Sequence, residues 1–201
     1  MILRTFGDSH SRIGWEISVP NLQIISGKNG AYTMARFGME KLNLFNIKNE
    51  GVNEGDAVCF CFGEIDCRSH LCKPEIFKIY ESLINDIVFR YFEAIKSNIE
   101  QYKNLKIMVF NVMPAIRVTP DFVQTPSFPH IGSDVERKTV TSYMNAKLKE
   151  FSEKHNYIFI DIHSKYSDSD GFFKPELKDS SVHMNNGIYL SEFLKSLFNE
   201  K

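Results

Sequence analysis

Five short stretches fix what this chain can fold into: MILRTFG at the start, LQIIS (22–26), DAVCFCFG (56–63), KIMVFNVMP (106–114) and YIFIDIH (157–163). Each is rich in branched and aromatic residues and close to continuously apolar. A strand with one wet face alternates; a strand covered on both faces does not, and parallel strands are of the second kind. Helical patterns fill the gaps. In PEIFKIYESLINDIVFRYFEAIKSNIEQ the apolar positions recur at three and four, with Pro74 in the first turn, where its missing N–H costs nothing. DVERKTVTSYMNAKLKEFSEKH (134–155) follows Ser133 or Asp134 as N-cap, GIYLSEFLKSLFNEK closes the chain, and 31–44 is a weaker helix. Strand, helix, strand, repeated, predicts the α/β class: a three-layer α/β/α sandwich around a five-stranded parallel sheet with right-handed crossovers, flavodoxin-like in outline. With 201 residues, 43% of them apolar, and no linker-like tract, residues 1–201 read as a single domain.

Two long loops, about 115–132 and 164–186, begin at C-terminal strand ends, the edge where open α/β sheets place their ligands. Three polar clusters fall on that edge. Gly7-Asp8-Ser9-His10 follows the first strand, GEIDCRSH (63–70) follows the third, and DSSVH (179–183) precedes the last helix. Parallel strands would bring these distant segments together and put a histidine within reach of Ser9.

Those residues resemble the SGNH (GDSL-type) hydrolase superfamily. Gly7-Asp8-Ser9 matches its first block. Gly30, in GKNGAYTMARFG, matches the glycine whose N–H joins the oxyanion hole, with Gly27 as a second candidate. GEIDCRSH occupies the place of Gly-x-Asn-Asp, and DSSVH that of the terminal Asp-x-x-His. Two positions depart from the pattern: Ile65 stands where the superfamily has an oxyanion-binding asparagine, and Ser180 stands three before the histidine, with Asp179 four before it. The combination GDSH, GEIDCR and SVH resembles a branch associated with bacterial polysaccharide gene neighbourhoods. The resemblance implies the SGNH hydrolase fold and a serine esterase needing no cofactor.

The chemistry assigns roles. Ser9 is a weak nucleophile without a base, His183 is that base, and Asp179 would fix its tautomer. A backbone carbonyl or Ser180 is the fallback acceptor. The N–H groups of Ser9 and Gly30 would meet the oxyanion, and Arg68 or Asn111 would replace the missing asparagine. Asp8 shapes the nucleophile turn; Glu64, Asp66 and Arg68 either support the site as an ion-pair network or touch substrate. His10 and His70 lie near the site by sequence alone, where a lone histidine is usually structural. His130, in a Pro-rich loop, is a candidate to reach over the pocket.

The sequence expects a small acyl group, most simply acetyl, to be removed from a sugar or glycan. The alternatives are an O-acyltransferase acting on a glycan and a catalytically silent carbohydrate-binding module. A net charge of −1 gives no field for nucleic acid or an anionic membrane. No apolar run reaches a bilayer's width, and the start lacks a signal-peptide pattern, so a cytoplasmic protein is the default expectation. No phosphate-binding glycine loop is present. No His, Asp or Glu set has metal-ligand spacing, and the cysteines at 59, 61, 67 and 72 read as buried free thiols. The oligomeric state is left open.

Overall fold

The computed structural model describes residues 1–124 and 126–198, apart from the side chain of Asn29. Its strands are β1 (Ile2–Gly7), β2 (Gln23–Asn29), β3 (Ala57–Cys61), β4 (Lys106–Phe110) and β5 (Ile158–Ile160). They form one parallel sheet in the order β2-β1-β3-β4-β5. The helices are α1 (Met34–Glu40), α2 (Pro74–Phe77), α3 (Tyr80–Ile99), α4 (Asp134–Lys154), α5 (His163–Tyr166) and α6 (Ile188–Phe198). This is the expected three-layer α/β/α sandwich.

Alternation along β3 shows how the layers are built. Val58 and Phe60 point into one core with Phe37 of α1, Ile84, Val88 and Tyr91 of α3, and Val140 and Met144 of α4. Ala57, Cys59 and Cys61 point into the other, with Trp15, Tyr166 of α5, and Leu190 and Leu194 of α6. Every residue of β3 is therefore buried, which is why its sequence does not alternate. Phe37 stacks on both Phe45 and Phe62 at 4.9 Å, and a fully buried ring of this size contributes about 2–3 kcal/mol. Cys59 and Cys61 share a face, their sulfurs 3.7 Å apart, and all four cysteines are free and buried.

Two expectations shift in detail. The helix starting at Pro74 is broken between α2 and α3, at Ile79, where the backbone leaves helical geometry. The apolar period runs across the break because Ile76, Phe77, Tyr80 and Leu83 all still pack on one core. β3 and β4 end at Cys61 and Phe110, earlier than their apolar runs, so that Phe62 and Val112 are buried in the loops beyond. The last part of the expected closing helix, residues 199–201, lies outside the described residues. α4 starts as expected, with Ser133 as N-cap and a full capping box: the Glu136 N–H donates to the Ser133 hydroxyl and Glu136 accepts from the Ser133 N–H.

Among the described residues no helix is long and apolar enough to cross a membrane. No group of three or more His, Cys, Asp or Glu among them could hold a metal ion.

Candidate active site

β1 ends against the middle of the sheet, and the backbone leaves it through Gly7 at φ 150°, where a Cβ would fall 1.8 Å from the Cys61 carbonyl oxygen. Only glycine fits so close an approach. The next N–H, of Asp8, donates to that carbonyl at 3.0 Å, and Asp8 then caps a single 3₁₀ turn, Ser9–Ser11. Its carboxylate accepts the His10 N–H at 2.9 Å, while the Trp15 indole N–H donates to the His10 carbonyl at 2.7 Å. The turn is fastened from both sides, and half-buried Ser9 is its first residue.

The partner arrives from the other end of the chain. Lys178 and Met184 pair as an isolated antiparallel bridge, and the Asp179 N–H donates to the His183 carbonyl at 2.8 Å. The five residues between them form a closed loop that Asp179 organises from within. Its Oδ1 accepts the Ser181 N–H at 2.8 Å and the His183 N–H at 3.1 Å; its Oδ2 lies 2.8 Å from His183 Nδ1. His183 Nε2 lies 2.8 Å from Ser9 Oγ. Because Oδ2 is a carboxylate acceptor, Nδ1 carries the proton, and Nε2 is left to accept from the serine hydroxyl. The loop also explains why an acid four residues before the histidine suffices: the backbone doubles back, so Asp179 faces its own loop's end. Ser180 is exposed and takes no part.

Burial alone would raise the Asp179 pKa, but hydrogen bonds from the His183 ring and from the N–H groups of Ser181 and His183 outweigh it, and the carboxyl sits below its usual value. His183 is pushed below 6.5 by burial and then by the charge of His10, against the pull of Asp179. At neutral pH the imidazole is therefore unprotonated, as a proton acceptor must be.

His10 is what sequence reasoning undervalued. Its ring lies 4.8 Å from that of His183; its Nδ1 is 3.2 Å from Asp8 Oδ1 and its Nε2 3.2 Å from the Val182 carbonyl oxygen. Both nitrogens face acceptors, so the ring holds two protons. Burial would lower its pKa, but Asp8, then Glu64 and the Val182 carbonyl outweigh this and raise it to about 9. His10 thus clips the loop bearing His183 to the turn bearing Ser9. No local pattern could have revealed this, because Val182 is 172 residues away.

The oxyanion side differs from expectation. The N–H of Gly30 donates to the Gly7 carbonyl at 3.2 Å, and so is engaged rather than turned toward Ser9. The cause is the register: β1 and β2 carry an irregularity between Thr5 and Gly7 that brings their ends together. Gly27 is required by packing, since a Cβ there would lie 2.3 Å from the Phe6 ring. Asn111 is fully used. Its amide donates to the Val112 carbonyl and toward Met113 sulfur, and its oxygen accepts the Ile162 N–H, tying β4 to the chain after β5. Ile65 is buried.

The GEIDCRSH segment leaves β3 through Gly63 and forms a π-helical turn, Asp66–His70. Asp66 caps α1 from a distance, accepting the N–H groups of Met34 and Ala35 at 2.7 and 3.2 Å, and burial raises its pKa to about 6 despite those bonds. Arg68 forks onto Glu64 at 2.5 and 3.0 Å and donates to the Phe128 carbonyl, while Ser69 donates to the Pro129 carbonyl at 2.8 Å. This turn therefore anchors the 115–132 loop. Arg68 has five N–H groups and spends three, leaving two. His70 faces Phe128 edge-on and lines a separate surface hollow with Thr33 and Lys73, apart from the Ser9–His183 pair.

No protein-family model matches the chain, and a search of curated proteins finds no significant relative. Solved structures do match. A putative acylhydrolase from Bacteroides fragilis superposes with a TM-score of 0.63 at 15% identity, covering 98% of this chain and 86% of the other. A member of the lipolytic G-D-S-L family from Veillonella parvula gives 0.60 at 12% identity, over 100% and 99%. Phospholipase A1 from Streptomyces albidoflavus gives 0.57 at 10% identity, over 98% of each chain. The chain has the fold of GDSL-like lipolytic proteins.

Proposed function

We propose that the chain is a serine ester hydrolase that removes a small acyl group, acetyl in the simplest case, from a sugar or glycan. One observation carries the reading: a hydroxyl, an imidazole and an ionised carboxylate in an unbroken line of 2.8 Å contacts on the ligand-binding edge of the sheet. Ser9 Oγ bonds to the ester carbonyl carbon as its proton passes to His183 Nε2. The alcohol then leaves with that proton, and water repeats the sequence in reverse to free the acid and regenerate Ser9. Asp179 holds the tautomer and stabilises the imidazolium. The Ser9 N–H and the two remaining N–H groups of Arg68 are the donors assigned to the developing oxyanion.

The space beside the turn is narrow, a cavity of about 10 Å³ lined by Asp8, His10, Glu64 and Met113 among others. The names of the superposed proteins, an acylhydrolase, a lipolytic protein and a phospholipase, support ester chemistry in this fold. The engaged Gly30 N–H and buried Ile65 favour a second reading, a silent module that binds carbohydrate without cleaving it. Hydrolysis of p-nitrophenyl acetate separates the two. The esterase reading expects turnover that Ser9→Ala abolishes with the fold intact; turnover retained by that variant overturns it, and no turnover by the parent favours the silent module.

A further inference from the structure

The long loops that follow β4 and β5, 115–132 and 164–186, are joined by one arginine. Arg117, near the start of the first loop, forks onto two acids of the second: Nη1 donates to Asp168 Oδ2, and Nη2 to Asp170 Oδ2 at 2.7 Å. Its guanidinium carbon lies 4.2 Å from the centre of the buried Phe172 ring. Lys138 of α4 lies over the same ring at 5.0 Å and donates to the Asp170 carbonyl at 2.9 Å. A single exposed ion pair contributes little. Here one planar cation meets two carboxylates and an aromatic face, which fixes its orientation as well as its charge.

The turn that Arg117 holds is itself well bonded. Asp168 Oδ1 accepts the N–H groups of Asp170 and Phe172 at 2.9 and 3.0 Å, and the Asp168 N–H donates to the Phe172 carbonyl at 2.7 Å. Backbone bonds then lead on toward the candidate base. Lys174 donates to the Tyr166 carbonyl at 2.9 Å, and Leu177 donates to Lys174 and accepts from Asn185, each at 3.1 Å. Lys178 pairs with Met184, closing the stem of the loop that carries Asp179 and His183. The 115–132 loop is tied down at its far end, where the Ser69 hydroxyl donates to the Pro129 carbonyl and the Ile131 N–H to that of Arg68. His130 bonds within that loop, its N–H donating to Gln124 Oε1 at 2.8 Å and its ring meeting Phe122 edge-on.

Among the described residues one backbone bond joins the two loops, from the Phe173 N–H to the Ala115 carbonyl at 3.0 Å. Ile116, Phe173 and Val182 share a core, but apolar contact carries no direction. One bond leaves rotation about it free, and the Arg117 fork removes that freedom. From these links we infer that Arg117 is a positioning residue, which fixes the stem of the Asp179–His183 loop and so keeps His183 Nε2 on Ser9 Oγ. The inference rests on the ester-hydrolase reading for its effect on turnover. His10 restrains the same loop from the nucleophile side, through the Val182 carbonyl.

Arg117→Met tests this, with Arg117→Lys beside it. In p-nitrophenyl acetate hydrolysis the Met variant should lose about tenfold in kcat with KM changed by less than about twofold, the pattern of a misplaced catalytic group. The Lys variant, which keeps the charge, should recover part of that loss. Backbone amide hydrogen exchange reads the restraint without substrate. The amides of 179–183 should exchange about tenfold faster in the Met variant, while those of β1 and β3 keep their rates. An arginine serving stability alone would quicken exchange in the sheet as well, or only in 167–173, and would leave kcat of the folded enzyme unchanged. An unchanged kcat in an active parent, or unchanged exchange at 179–183, overturns the inference. If the parent cleaves no acetate ester, the esterase reading falls and exchange at 179–183 alone decides the restraint: faster in the Met variant upholds it, unchanged overturns it.

Discussion

The two halves of the candidate site are built differently. On the proton-transfer side, Ser9, His183 and Asp179 are joined in a line, and His10 clips their two chain segments together through the Val182 carbonyl. On the oxyanion side, two of the four donors suggested by sequence are spent elsewhere, Gly30 on Gly7 and Asn111 on Val112 and Met113, and Ile65 stands in place of an amide. The difference teaches that the groups proposed to move the proton already stand in line with one another. Under the proposed function, charge stabilisation falls to the other two, the Ser9 N–H and Arg68, a side chain that also anchors the 115–132 loop through Phe128.

Five measurements probe that contrast, from the largest expected effect downward. Ser9→Ala should lower kcat for p-nitrophenyl acetate by roughly a hundred-thousandfold or more, since the rest of the line cannot act without it. Asp179→Asn should cost on the order of ten-thousandfold, because an amide can donate to Nδ1 and so favour the wrong tautomer. On the other side, Arg68→Met should cost about a hundredfold in kcat, the usual value of one oxyanion donor, with Arg68→Lys recovering part of it; an unchanged kcat would move that role away from Arg68.

The fourth measurement is a pH profile. His183 is pushed below 6.5 by burial and by the neighbouring His10 charge, so the acid limb of kcat/KM should lie below pH 6.5. His10→Asn removes that charge, and should shift the limb upward while lowering kcat by about tenfold. A limb that stays in place would reduce His10 to packing. The fifth concerns stability. His10 titrates near 9 when folded and near 6.5 when unfolded, so its charged contacts contribute fully below pH 6.5 and are lost as pH rises through about 9. At about 1.4 kcal/mol per pKa unit, roughly 3 kcal/mol of unfolding free energy should disappear across that interval in urea titrations, and less in His10→Asn.

Much of this was legible in the sequence, and the limits have physical causes. Continuous apolarity gave away β1, β3 and β4 because both faces of each are covered. It overran their ends because Phe62 and Val112, beyond the last sheet bonds, are as buried as the strands themselves. The meeting of Ser9 with His183 was foreseeable because parallel strands align their C-terminal ends. The acceptor of Gly30's N–H was not, since it depends on a register irregularity between β1 and β2 that no side chain announces. His10 escaped for the reverse reason: its side chain is conspicuous, but its partner's contribution is a backbone carbonyl.

Labelling with a fluorophosphonate tests the proton-transfer assembly most directly, because the reagent needs an activated serine but no knowledge of the natural ester. Peptide mass spectrometry should find one stoichiometric adduct, on Ser9, forming faster as His183 loses its proton and absent from Ser9→Ala. An unlabelled Ser9 in the folded protein, or an adduct on another residue, would contradict it.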